Sequence, residues 1–132
     1  MKSPLLALFV ALFSFSISAH ALEQCPVEFG QDYLEKVATL ATEAESCYEA
    51  SAIVNACALG ASGDVYTVAF AIARCEKDIP QMSKKDLETF SYLKTKCNEK
   101  YDSMDGTLYR SMNAFCHLSV TELFVDLLSK EE

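Results

Sequence analysis

The stretch CNEKYDSMDGTLYRSMNAFC, residues 97–116, decides the fold. Asp105-Gly106 is a turn signal between two segments whose apolar residues recur at steps of three and four. Cys97 stands eight residues before Asp105, and Cys116 ten residues after Gly106. At ~1.5 Å per helical residue both thiols lie roughly 12–15 Å from the turn. An antiparallel helical hairpin therefore brings them to nearly equal depth, and the spacing predicts a Cys97–Cys116 disulfide.

The same periodicity extends in both directions. On the N-terminal side, Ser83-Lys84-Lys85-Asp86 has the spacing of a capping box, with Asp in place of the usual Glu or Gln. It predicts a helix running to about Ser103, with Leu87, Phe90, Leu93, Cys97, Tyr101 and Met104 near one side. On the C-terminal side, Thr107 is placed to cap a last helix. Its apolar stripe starts with Leu108, Met112, Phe115 and Cys116 and continues, after an expected kink at Ser119, through Val120, Leu123, Phe124, Leu127 and Leu128. Ser129–Glu132 is expected to fray.

Further upstream, Phe29, Tyr33, Val37, Leu40, Ala44, Cys47 and Tyr48 give one apolar stripe from about Val27 to Glu49. Ile53, Val54, Cys57, Ala58 and Leu59 continue it to Gly60, a natural helix terminator. No Gly or Pro marks a bend near Ala50–Ser51. Asp64 reads as the N-cap or first-turn acid of a helix over Val65–Lys77, with Val65, Val68, Ala69, Ile72 and Cys75 on its buried side. Asp78-Ile79-Pro80 ends that helix. Strand-like alternation of useful length is absent, as is any solenoid-period repeat. The fold class is all-α: a small antiparallel bundle of four to five helices stapled by disulfides.

Residues 1–21 read as a secretory signal peptide. Lys2 gives the positive start, Leu5–Phe13 the apolar core, and Ala19 and Ala21 the small residues before cleavage at Leu22. The expected mature domain spans residues 22–132 and is exported, periplasmic or secreted. Glu23 and Gln24 before Cys25 spoil a lipobox, so no membrane anchor is expected. In an oxidising compartment Cys25, Cys47, Cys57, Cys75, Cys97 and Cys116 can form three bridges. In one unbroken helix Cys47 and Cys57 would be ~15 Å apart, whereas bridged Cα atoms lie within ~7 Å. They pair only if the chain breaks between them, and Cys25–Cys75 is then left over. Zinc is not expected, because C-x-x-C pairs are absent and His117 is the one histidine of the mature chain.

Removing the leader, with Lys2, leaves 10 basic residues against 19 acidic ones, a formal charge of −9. Such a surface repels nucleic acid and anionic lipid and attracts a basic partner. His117 lacks a legible nucleophile or orienting acid, and reads as a half-buried structural residue. Glu43, Glu45 and Glu49, like Glu99, Asp102 and Asp105, read as solvated helix faces rather than a catalytic carboxylate pair. Six tyrosines and no tryptophan leave aromatic rings for a core edge or an interface rim. No catalytic residues, metal ligands or cofactor are expected.

The segment from Cys47 to the last helix resembles the small bacterial lysozyme-inhibitor domains of the LprI N-terminal type. The resemblance rests on Cys47 and Cys57, and on the run Cys97 … Asp105-Gly106-Thr107-Leu108-Tyr109 … Cys116-His117-Leu118-Ser119-Val120-Thr121. That family's Arg, Trp and Arg-Asp features ahead of its third cysteine have no counterpart in Ser91–Lys96, and Cys25 and Cys75 are additional. The resemblance implies an exported, non-catalytic module that blocks a cationic, lysozyme-like wall hydrolase. Asp102 and Asp105, beside the expected turn, are its candidate contacts. The alternative is a carrier of a small apolar ligand, with a dry cavity lined by residues such as Phe90, Leu93 and Phe115.

Overall fold

Ser46 ends the long N-terminal apolar stripe early. The computed structural model describes residues 24–130, so the expected leader lies outside it. Its five helices are α1 (Tyr33–Glu43), α2 (Cys47–Ala56), α3 (Gly63–Glu76), α4 (Lys84–Tyr101) and α5 (Thr107–Ser129). No strand occurs among the described residues. The all-α bundle stapled by disulfides is what the sequence predicted.

The break between α1 and α2 falls at Ala44–Ser46, not near Ala50. Ser46 takes an extended backbone conformation and its hydroxyl accepts the Glu49 amide at 3.1 Å. Glu49 reaches back and accepts the Glu45 amide at 2.7 Å. Ser46-Cys47-Tyr48-Glu49 is thus an S-x-x-E helix start inside an apolar stripe. Arg74 holds the corner from α3: Nε donates to the Ala44 carbonyl (2.7 Å), Nη2 to the Glu45 carbonyl (2.5 Å) and Nη1 to Asp78 Oδ1 (2.6 Å). Asp78 Oδ2 in turn accepts the Cys47 amide at 2.8 Å.

This break corrects two disulfides. Cys47 opens α2 and Cys57 caps its end, so one continuous helix separates them and they cannot meet. The bridges are Cys25–Cys57, Cys47–Cys75 and Cys97–Cys116, with Cα separations of 4.7, 4.2 and 5.7 Å. The pairings Cys47–Cys57 and Cys25–Cys75 are therefore replaced, while the hairpin pair stands. Three bridges suit an oxidising, extracellular-type compartment. Among the described residues no helix is long and apolar enough to cross a membrane.

α3 lies at the centre, packed on α1, α2 and α5, whereas α4 packs on α5 alone. The main core joins Val37, Ala41, Ala50, Val54, Val68, Ala71 and Leu118 around the first two disulfides. A smaller cluster of Phe90, Phe124 and Leu128 holds α4 to α5, its two rings edge to face at 5.0 Å. The Ser83–Asp86 capping box forms as expected. Thr107 does not cap; it is the first residue of α5, and Gly106 at φ 115° makes the turn. α5 then continues through Ser119 without interruption. Because α4 has one neighbour and the outer side of α5 has none, Leu87, Met104, Leu108, Met112, Leu123 and Leu127 are exposed, not core. Phe29 precedes α1 and is 80% exposed.

Peptide mapping under non-reducing conditions should recover these three linkages and no Cys47–Cys57 peptide. The Cys97→Ser/Cys116→Ser protein should lose about 2–4 kcal/mol in chemical denaturation, and its α4 amides should exchange first. Acid should act on the Arg74 corner. Burial raises the Asp78 carboxyl, but the Arg74 guanidinium and the Cys47 amide outweigh it and hold it below 3.8. Its contribution is complete above that value and is lost as pH falls through the lower folded-state one. Asp78→Asn should flatten that acid limb of a stability–pH curve.

Candidate functional site

The start of α5 is set by a buried carboxylate. Asp64 lies in the first turn of α3, as the sequence allowed, but it is 1% exposed. Oδ1 accepts the Leu59 amide at 2.9 Å, and Oδ2 accepts the amides of Gly60 (2.8 Å) and Ala61 (3.3 Å). Ser111 Oγ of α5 donates to Oδ2 at 2.6 Å. A buried carboxylate is tolerated only when hydrogen-bonded in this way. It converts the α2–α3 loop, where Gly60 has φ 65°, into a fixed seat for α5. Tyr33 borders the same region and donates to the Cys57 carbonyl at 2.8 Å. Burial, with the Asp64 charge nearby, pushes its phenol above 10.0.

Arg110 precedes Ser111 and Asn113 lies two residues after it, and these two residues border two depressions. One is a polar pocket of 200 Å³ at the α4–α5 turn, lined by Tyr101, Asp102, Asp105, Tyr109, Arg110 and Asn113 among others. The structure thus brings Asp102 and Asp105, the two contacts expected from sequence, onto one concave surface. Asn113 Nδ2 donates to Asp102 Oδ1 at 3.5 Å and to Asn98 Oδ1 at 3.1 Å. The turn itself, from Asp102 to Leu108, is exposed, with Met104 and Leu108 at its apolar points.

The second depression is an open groove of 360 Å³ between α3 and α5. Val65, Val68, Ala69 and Ile72 form one wall, and Arg110, Asn113, Ala114 and His117 the other. Its lining differs from the cavity expected of a carrier. Phe90 and Leu93 pack in the α4–α5 cluster, and Phe115 packs on the main core. The carboxylates of Glu43, Glu45, Glu49 and Glu99 lie on exposed positions.

His117 bridges helices, as a half-buried structural residue would. Its Nε2 meets Asn98 Oδ1 of α4 at 2.8 Å. Burial, joined by the Lys94 charge and opposed by Asp102, holds the imidazole below 6.5. All six thiols are consumed in disulfides, so none is free to bind metal.

Sequence reading missed the Asp64–Ser111 contact, whose partners lie 47 residues apart, and the groove beside it. The local signal at Asp64 is ambiguous: a capping acid and a buried one look alike. The fold and its site define an all-α, three-disulfide helical domain. No protein-family model matches the sequence, and comparison with characterised proteins and with solved structures finds no match.

Asp64→Ala should cost about 3–5 kcal/mol by orphaning buried donors, and Ser111→Ala about 1.5–2 kcal/mol, both read from urea unfolding. Neutral His117 stabilises the fold fully above 6.5. That contribution declines as pH drops toward the lower folded-state value, because the unfolded chain binds the proton first. Replacing His117 by Gln should remove the corresponding slope, which sets in as pH falls through 6.5.

Proposed function

We propose that this protein is an exported, periplasmic or secreted, non-catalytic binding module that inhibits a cationic hydrolase of the lysozyme kind. The observation that carries the reading is the shared pocket of Asp102 and Asp105 at the end of a disulfide-stapled helical hairpin. Cys97–Cys116 and the Asn113 hydrogen bonds to Asn98 and Asp102 tie the two helices behind that end, so less ordering entropy is lost when it docks. The carboxylates offer charge to a basic side chain, and Tyr101 and Tyr109 line the pocket beside them. Met104 and Leu108, 43% and 52% exposed, supply apolar area beside them. The formal charge of −9 expected for the mature chain attracts a basic enzyme to the protein as a whole and speeds encounter at low salt. The likeness of the Cys97–Thr121 segment to lysozyme-inhibitor domains supplies the target class.

The test is turnover of a basic lysozyme on cell-wall substrate, with and without the purified protein. Inhibition is expected at micromolar excess and should weaken as salt is raised. Asp102→Asn/Asp105→Asn keeps the shape and removes both charges; it should weaken inhibition about three- to tenfold. No inhibition at micromolar excess removes the lysozyme target.

A further inference from the structure

We infer that the α3–α5 groove binds a small amphipathic monocarboxylate, with its apolar chain along Val65, Ala69 and Ile72 and its head on Arg110. The chain has two arginines, and they are used in opposite ways. Arg74 spends its guanidinium on two backbone carbonyls and Asp78. Arg110 makes no ion pair among the described residues and stands exposed at the edge of the groove, its guanidinium uncommitted. Asp102 and Asp105 border the neighbouring pocket, yet neither carboxylate comes within ion-pair distance of it. A guanidinium matches a carboxylate with two parallel hydrogen bonds, and from its exposed position Arg110 can make that pairing without leaving solvent.

The rest of the groove fits the other end of such a molecule. Arg110 is the one lining residue with a permanent charge, and the α3 wall is wholly apolar. Its 360 Å³ lies at the small end of the ~300–1,000 Å³ range of ligand sites. At ~30 Å³ per non-hydrogen atom, the share a water takes in the liquid, it admits roughly a dozen atoms. Decanoate has that size. Asn113 and His117 are tied to Asn98 of α4 and give the α5 wall a fixed polar edge.

Calorimetric titration of the full protein with decanoate tests the assignment, with decyltrimethylammonium as the cationic counterpart. Saturable one-to-one binding of decanoate is expected, and Arg110→Gln should weaken it about two- to fivefold. Ala69→Trp should abolish it by filling the groove from an exposed α3 position that folding does not depend on, which far-ultraviolet circular dichroism verifies. Absence of saturable decanoate binding overturns the inference. So does equal affinity in wild type and Arg110→Gln, unchanged binding by folded Ala69→Trp, or preference for the ammonium probe. Lysozyme inhibition plays no part in this readout, so the two proposals stand or fall separately.

Discussion

Four hydrogen bonds to Asp64 fix the register on which the other features depend. Three come from successive amides of the Leu59–Ala61 loop and one from Ser111 of α5. The loop amides would otherwise be left unpaired where the chain leaves α2, and α5 would have no polar anchor against α3. A helix sliding along an apolar neighbour by one turn loses little packing; one that must also bring a hydroxyl onto a buried carboxylate has a single solution. Ser111 thereby places Arg110 and Asn113, and with them both depressions. The cost of the arrangement is that Asp64 tolerates no partial substitute, since a buried carboxylate missing its donors is worse than none.

A second constraint acts at the opposite end of α3. Arg74 and Asp78 grip the α1–α2 corner through three carbonyl or carboxylate acceptors and the Cys47 amide, next to the Cys47–Cys75 bridge. Side-chain exposures of 12% and 30% make this pair more than a surface ion pair. Fixed at both ends, α3 becomes the rigid member of the bundle. α4 is the opposite case. It touches α5 only, through one small cluster and one disulfide, so its position depends on a covalent link rather than on a surrounding core.

The parts of the fold that were legible in sequence are those written in local spacing. The Ser83 cap, the Asp105-Gly106 turn and the equal depths of Cys97 and Cys116 need only a helical ruler. The α1–α2 corner was written locally too, in Ser46 and Glu49, but a continuous apolar stripe masked it. Once α2 is known to begin at Cys47, the ten-residue separation of Cys47 and Cys57 excludes their pairing without further information. Asp64–Ser111 and Arg74–Glu45 are different: their partners lie 47 and 29 residues apart and depend on how helices cross. Of the candidate site, Asp102 and Asp105 could be named from their place beside the turn, but their sharing of a concave pocket follows from α4 and α5 lying side by side.

The distribution of apolar residues explains why so small a bundle carries three bridges. Its main core is built from Ala41, Ala44, Ala50 and Ala71, with valines and cysteines, while Leu108, Leu123, Leu127 and Leu87 are between 43% and 54% exposed. Small interior residues let helices approach closely, but they remove less apolar area from water than leucines do, at about 25 cal/mol per Å². The missing stabilisation is supplied by cross-links that restrict the unfolded chain. An outer face that keeps its larger side chains in solvent is then not a failure of packing, because the fold does not rely on burying them.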